Sequence, residues 1–227
     1  MLAHEAKCVA KRCGELNVSL QSINAVVTPV TKRHLGHVDG VIIGGSGDFS
    51  VEHPFSERFV TPLLKSLDLL AQRQLPTFGI CFGHQLIGYW LGQSVPTDPA
   101  RSELGTVWVS KTDAGRSHPV LRHFNDSFAV HSGHSDVVAG CPTDCEIILS
   151  NDLLDTQAFQ VRGLPMMSVQ FHPDMAGAEA RARLLAYEEG FSDRIETDAA
   201  TFAEKFAVDQ DESTALISAF FREHGFK

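Results

Sequence analysis

The sequence predicts a single α/β domain whose open, mainly parallel sheet carries helices on both faces. Apolar runs of strand length alternate with segments of helical periodicity over residues 5–92, a pattern typical of a parallel sheet. Short strand-like segments follow one another over residues 105–171, which indicates added hairpin strands. The chain has 227 residues, 43% of them hydrophobic, and no repeat or linker divides it, so one core is expected.

The first part of the chain supplies the alternating elements. Apolar residues recur at three- and four-residue steps over 5–16 and again over 56–73, so each segment is predicted to be an amphipathic helix. SLQSINAVV alternates polar and apolar residues, VDGVIIGG is an apolar run that ends in glycines, and LPTFGI leads into the helix-like GHQLIGYWLG. The three predicted strands therefore lie within residues 19–27, 38–45 and 75–80.

The second part of the chain predicts hairpins and then helices. Turn signals such as Cys141-Pro142 separate its strand-like segments, which are GTVWVS, SFAVHS, CEIILS, TQAFQV and PMMSVQF. Helices are expected around 177–190, 199–207 and 212–224. We assign residues 1–190 to the main body of the domain and residues 191–227 to a C-terminal helical extension of it.

The beginning of the chain is unusual for this type of sheet. A parallel α/β sheet normally opens with a buried strand, whereas this sequence begins at or within its first helix. We therefore expect the first strand to be missing, or the order of elements to differ. If it is missing, the sheet that carries Cys81 loses a central neighbour.

Composition excludes several classes of protein. With 19 basic and 28 acidic residues the formal charge is −9, so neither nucleic acid nor an anionic membrane is expected as a partner. No stretch reaches the roughly 18 apolar residues of a membrane span, and the N-terminus lacks a signal-peptide core, so we expect a cytoplasmic protein. The five cysteines lack C-x-x-C spacing, which favours reduced thiols without a metal site.

The stretch FGICFGHQ places Cys81 where a strand pattern changes to a helix pattern. Gly79 and Gly83 flank it at G-x-C-x-G spacing, which is the pattern of a nucleophile elbow. The helix N-terminus favours the thiolate, and the amide of Phe82 can donate to an oxyanion. A structural cysteine in a glycine-rich turn is the alternative.

A nucleophilic thiol needs a base, and His172 in VQFHPD is the best placed of eleven histidines. In an extended segment residues i and i+2 point the same way, and Pro173 disfavours helical geometry at His172. Asp174 can therefore lie beside the imidazole and orient it. Taken alone, the pair also fits a solvated histidine near a turn aspartate.

Together the motifs GICFGHQ (79–85) and VQFHPD (169–174), preceded by GGSGD (44–48), resemble those of the class I, triad-type glutamine amidotransferase domain. The resemblance covers about residues 1–190. It implies Cys81 as nucleophile, His172 as acid and base and Asp174 as the orienting acid, with the amides of Gly45 and Phe82 as oxyanion donors. It implies no cofactor and no metal.

Weaker matches suggest substrate contacts. Gln85 corresponds to a family position that contacts the amino-acid end of glutamine, and His134 in HSGHSD resembles a segment that lines the glutamine pocket. A helix-surface glutamine and a plain loop histidine are the alternatives. The family usually ends its histidine motif in Glu, whereas Asp174 is one methylene shorter, so its carboxylate must come closer or a water must bridge.

With this resemblance, we expect a flavodoxin-like α/β domain, and the resemblance implies that it hydrolyses the amide of glutamine, or of a small γ-glutamyl compound, through a thioester. The chain contains no nucleotide motif of the G-x-x-x-x-G-K-S/T type, so an ammonia-accepting synthetase subunit is a candidate partner. Three alternatives remain open: a free-standing γ-glutamyl peptide hydrolase, a dienelactone-hydrolase-like enzyme, and a non-catalytic binding member of the fold.

Overall fold

The computed structural model describes residues 2–47, 49–186 and 199–227. In this part of the chain seven strands form one sheet in the order β1-β2-β7-β6-β5-β3-β4, which confirms the α/β class. The strands are β1 (Val41–Ile43), β2 (Thr77–Ile80), β3 (Glu103–Lys111), β4 (Ser127–His134), β5 (Cys145–Ser150), β6 (Ala158–Val161) and β7 (Met166–Val169). The helices are α1 (Leu2–Arg12), α2 (Lys32–Leu35), α3 (Glu57–Gln72), α4 (Phe82–Trp90), α5 (Asp113–Ser117), α6 (Gly177–Ala186), α7 (Ala199–Ala203) and α8 (Leu216–Glu223).

The parallel part of the sheet is β1-β2-β7. Thr77 pairs with Val41 on one side and with Met166 on the other, and both pairings are parallel. The other neighbouring strands are antiparallel, and they come from the five strand-like segments predicted in the second part of the chain. Connection length explains one of these pairs, because residues 162–165 are too few for the crossover that a parallel β6-β7 pair would need.

One predicted strand is wrong. Residues 19–24 have no regular structure and 25–28 form a turn. An alternating pattern forms a strand when one of its faces is covered, but Leu20 is 49% and Val27 73% exposed.

The C-terminal part differs in detail from the sequence prediction. α7 ends at Ala203 because the following chain binds β3 instead: the amide of Thr106 donates to the carbonyl of Lys205 over 2.9 Å. Residues 187–190, predicted to continue α6, lie outside the described residues. The strand before Cys81 has a neighbour on each side, β1 and β7.

The sheet separates two hydrophobic clusters. Met166 and Met167, adjacent on β7, belong to different clusters because successive strand residues point to opposite faces. One cluster contains the buried side chains of α3 and α4. The other contains those of α8, where Phe220 packs on Phe78 with ring centroids 5.2 Å apart. Helices therefore cover both faces.

Parallel pairing of β2 and β7 brings the ends of these strands to one edge of the sheet. Cys81 follows β2 directly, and the VQFHPD segment continues from β7. Two motifs that are far apart in sequence thus meet at the carboxyl edge, where open α/β sheets generally form their sites. No described helix has the length and apolar character needed to span a membrane.

Candidate active site

Cys81 occupies a strained backbone conformation between β2 and α4. Its φ is 51° and its ψ is −100°, a region that residues with a Cβ rarely adopt. The neighbouring parallel strand holds it there, because the Cys81 amide donates to the carbonyl of Val169 over 2.9 Å. The Cys81 carbonyl accepts from the amide of Gln85 over 3.0 Å in the first turn of α4. The sharp turn predicted from G-x-C-x-G is present.

The two glycines beside Cys81 are required by packing. A Cβ on Gly83 would lie 2.1 Å from the carbonyl oxygen of Ile43, at the end of β1. A Cβ on Gly79 would lie 2.9 Å from the carbonyl group of Gly83. Both distances are below van der Waals contact, so the helix that follows Cys81 can approach the sheet this closely only with glycine at both positions.

His172 and Asp174 form a buried pair at the same edge. His172 Nδ1 lies 3.1 Å from Asp174 Oδ1, and the two residues are 2% and 4% exposed. The shorter acid therefore contacts the imidazole directly. The His172 amide donates to the carbonyl of His131 over 2.8 Å, and Arg12 Nε donates to the carbonyl of Asp174 over 3.1 Å. These bonds hold the backbone of the pair.

The charges around His172 favour its protonated form. Burial opposes this, but the Asp174 carboxylate and the nearby Cys81 outweigh burial and raise the pKa of His172 to about 9. Burial also opposes ionisation of Asp174, yet His172 and Arg183 hold the pKa of Asp174 below its ordinary value. Because Nδ1 faces Asp174, Nε2 is the nitrogen left for chemistry. That atom is buried and has no hydrogen-bond partner among the described residues.

The two predicted oxyanion donors border this pair. A Cβ on Gly45 would lie 3.1 Å from His172 Cε1, so the glycine loop after β1 reaches the imidazole. Phe82 is the first residue of α4, and an amide in the first turn of a helix has no intrahelical partner. Donation by these two amides to an anion on Cys81 remains a prediction.

The two predicted substrate contacts are buried and bonded to protein. Gln85 Nε2 donates to the carbonyl of Asp136 over 2.9 Å. His134 Nδ1 lies 3.1 Å from the same carbonyl, and its Nε2 lies 3.1 Å from Glu103 Oε2. Both side chains belong to a polar network under the site, and direct substrate contact by either remains a prediction.

The centre of that network is a glutamate at the start of β3. Glu103 is 4% exposed and accepts from Asn151 Nδ2 and Gln157 Nε2, each over 2.6 Å. Burial opposes its ionisation, but these donors and His134 hold the pKa of Glu103 below its ordinary value. The sequence around Glu103 does not identify these partners, because they come from distant segments of the chain.

Sequence reasoning missed Arg183. Its side chain is 7% exposed and pairs with Glu5 of α1 over 3.1 Å. With His172 it lines a small cavity of about 10 Å³, enough for roughly one water molecule. The available signal was an arginine three residues after Ala180, on the apolar side of a predicted helix. Within the described ranges no three His, Cys, Asp or Glu side chains converge in a way that would hold a metal ion.

Comparison with known proteins gives a family match. Residues 6–188 match the family model "Glutamine amidotransferase class-I". One subunit of the glutamine-hydrolyzing GMP synthase from Sulfurisphaera tokodaii is 30% identical over 161 residues, which cover 69% of this chain and 79% of that protein. The corresponding subunit from Methanococcus aeolicus is 26% identical over 65% of this chain and 71% of its own length.

Longer proteins and solved structures also match. The glutamine-hydrolyzing GMP synthase from Phocaeicola vulgatus is 29% identical over 78% of this chain, which spans only 32% of that protein. A glutamine amidotransferase from Thermotoga maritima superimposes with a TM-score of 0.72 at 19% identity, covering 86% of this chain and 81% of that one. A glutamine amido transferase from Methylobacillus flagellatus gives a TM-score of 0.68 at 17% identity over 95% and 89% of the two chains. These two structures share the fold.

Proposed function

Because the chain belongs to the class I glutamine amidotransferase family, we propose that it hydrolyses the side-chain amide of glutamine through a thioester on Cys81 and releases ammonia. The observation that carries this proposal is the buried His172–Asp174 pair at the sheet edge where Cys81 turns from β2 into α4. A thiol on an elbow, a base and an orienting carboxylate are the parts that nucleophilic acyl transfer needs.

The proposed reaction has two halves. Cys81 Sγ, as the thiolate, attacks the carboxamide carbon, and the amides of Gly45 and Phe82 donate to the oxyanion. The tetrahedral intermediate collapses as the C–N bond breaks, and His172 Nε2 gives its proton to the leaving nitrogen, so ammonia departs. Neutral His172 then takes a proton from water, which attacks the thioester carbon. Breaking the C–S bond releases glutamate and restores Cys81.

Asp174 has two roles in this scheme. Its contact with Nδ1 keeps the proton-transferring nitrogen, Nε2, directed away from the carboxylate, and its charge stabilises the imidazolium of the first half-reaction. The direct 3.1 Å contact supports Asp174 as a working substitute for the longer glutamate.

We further propose that the ammonia passes to a separate synthetase subunit. Two observations support this. The relatives whose names describe single subunits of GMP synthase are covered over most of their length, whereas the GMP synthase from Phocaeicola vulgatus is about three times as long as the matched segment. The sequence also contains no nucleotide motif of the G-x-x-x-x-G-K-S/T type, which would point to an acceptor for ammonia within it. The free-standing γ-glutamyl peptide hydrolase is the second candidate, because the same nucleophile and base would serve it.

The test is ammonia release from glutamine, measured beside amine release from a panel of γ-glutamyl peptides, with wild-type protein and the Cys81→Ala variant. We expect glutamine turnover that Cys81→Ala abolishes, and a fall of at least about 100-fold for His172→Ala from loss of acid-base catalysis. Cys141→Ala is the matched control, since Cys141 is an exposed thiol away from the elbow.

If the protein prefers the peptides to glutamine, its proposed function becomes γ-glutamyl peptide hydrolysis. Absence of turnover with either substrate class, in folded wild-type protein assayed alone and with a candidate synthetase subunit, would favour the non-catalytic alternative. Turnover that survives in Cys81→Ala would contradict the nucleophile assignment.

A further inference from the structure

Arg183 extends from α6 into the space beside His172. Its side chain is 7% exposed, and it lines the same small cavity as His172. The two side chains flank one glycine: a Cβ on Gly45 would lie 3.1 Å from His172 Cε1 and 4.0 Å from Arg183 Nη2. A permanent cation is thus buried next to the proposed acid-base residue and the proposed oxyanion loop.

A buried guanidinium requires a counter-charge, and the structure provides one from the far end of the chain. Arg183 Nε donates to Glu5 Oε1 over 3.1 Å, and the Glu5 side chain is 19% exposed. α1 therefore contributes a carboxylate that neutralises part of the charge of Arg183. The amount of positive charge that reaches His172 depends on this pairing.

We propose that Arg183 is a positioning residue of the site, a buried cation that keeps Asp174 ionised and helps His172 to release its proton. The inference rests on the proposed function, since it concerns the proton that His172 exchanges. Glu5 takes part in the same effect, because its carboxylate offsets part of the positive charge that Arg183 places near His172.

The chemistry requires such a balance. In the second half-reaction Cys81 is a thioester without charge, and His172 must be neutral at Nε2 to accept a proton from water. The adjacent Asp174 favours the imidazolium, which would leave His172 protonated and slow this step. Arg183 acts against that effect, since it lowers the pKa of His172 and also the pKa of Asp174.

Other titratable or charged groups near the pair come from several elements. They are Cys81 at the elbow, His131 of β4 with its partner Asp211, Cys8 and Arg12 of α1, and Glu179 of α6. Arg12 is paired with Glu179, and the Nε2 atom of His131 lies 3.0 Å from Asp211 Oδ1. His131 also lines the cavity with His172, but Arg183 differs from these two pairs in that it acts on both members of the His172–Asp174 pair.

The direct test follows the titration of the His172 imidazole by NMR in protein labelled with ¹⁵N-histidine, with His172→Gln to assign the signal. We expect Arg183→Met to raise the titration midpoint of His172 by about 0.5 to 1 pH unit and Glu5→Gln to lower it by a similar amount. Arg183→Lys keeps the cation and should stay near the wild type. Arg181→Met, on the same helix, is the matched control and should leave the midpoint unchanged.

The opposite directions of the two shifts distinguish an electrostatic effect from a structural one. General loosening of the site would shift the His172 midpoint in the same direction in Arg183→Met and in Glu5→Gln. An unchanged midpoint in folded Arg183→Met, or shifts of equal sign in the two variants, would overturn the proposal. If Arg183→Met does not fold, the downward shift of Glu5→Gln decides the matter.

Kinetics then connects the titration to catalysis. The acid limb of kcat for glutamine hydrolysis should move to higher pH in Arg183→Met and to lower pH in Glu5→Gln. Equal loss of activity at every pH, without movement of the limb, would count against a positioning role. If the wild type hydrolyses no glutamine, the proposed function fails, while the NMR titration still tests the action of Arg183 on His172.

Discussion

Cys81 and His172 show how single residues combine local strain with long-range contacts. The positive φ of Cys81 is tolerated because the amide of Cys81 is bonded to Val169 on the adjacent strand. His172 is buried as part of an ion pair rather than as a neutral ring. Removing one partner from such a pair leaves a buried charge without compensation. Each partner is thus required for stability as well as for the proposed chemistry.

The raised pKa of His172 predicts a pH dependence of stability. A histidine whose folded pKa of about 9 lies above its unfolded value of about 6.5 stabilises the fold fully below pH 6.5. This stabilisation, at most about 3 kcal/mol, is lost as pH rises through 9. The free energy of unfolding in urea should therefore fall between pH 6.5 and 9.5 in the wild type and fall less in His172→Gln. His123→Gln removes an exposed histidine and should follow the wild type. Parallel profiles for wild type and His172→Gln would contradict the prediction.

Helices and strands are joined here mainly by apolar packing. α8 lies outside the segment that matches the family model, yet Phe220 is fully buried against Phe78 of β2. Cys81 directly follows β2, so the packing of α8 supports the strand that presents the thiol. The polar network around Glu103 ties β3 to β4 in the same region, because Glu103 and His134 are paired across these strands.

Loss of the Phe220 ring should therefore destabilise the protein strongly. We expect Phe220→Ala to lower the free energy of unfolding by about 3 to 5 kcal/mol, since it leaves a cavity in the core. Arg222→Ala is the matched control on α8. Arg222 forms an exposed ion pair with Glu15, which is worth about 1 kcal/mol or less. Urea unfolding followed by circular dichroism measures both. Similar losses of unfolding free energy in the two variants would show that the buried face of α8 contributes no more to stability than its exposed face.

Contacts between the two ends of the chain hold the whole fold together. The α1 residues Glu5 and Arg12 contact Arg183 and Asp174, and the C-terminal carbonyl of Lys227 accepts from the amide of Asn17. The carboxylate of Asp211 contacts both His131 and the amide of Gly177. We therefore propose that residues 191–227 form one folding unit with residues 1–190.

A chain that ends at residue 190 tests this proposal. It lacks the buried side chains of α8, so we expect it to lose near-UV circular dichroism and its cooperative thermal transition, whereas the full chain should unfold in one transition. A chain lacking only residues 226 and 227 is the control for shortening as such. Cooperative melting and glutamine hydrolysis by the 190-residue chain would show that the extension is dispensable.

Local sequence patterns were sufficient to predict several elements of the fold and the main motifs of the candidate site. The helical periodicity over 56–73 corresponds to α3 (Glu57–Gln72), and the apolar run before Cys81 corresponds to β2 (Thr77–Ile80). The glycines around Cys81 and the His172-x-Asp174 spacing were readable because each depends on residues a few positions apart. The strand expected over 19–27 was wrong because an alternating pattern does not show whether a face of it will be covered.

The placement of distant groups could be decided only by the folded chain. The burial of Glu103 among Asn151, Gln157 and His134, and the pairing of Arg183 with Glu5, depend on segments separated by tens of residues or more. Charge, burial and hydrogen bonding act through space. The sequence therefore determines which groups can perform the chemistry, and tertiary packing determines which of them meet and in which ionisation state.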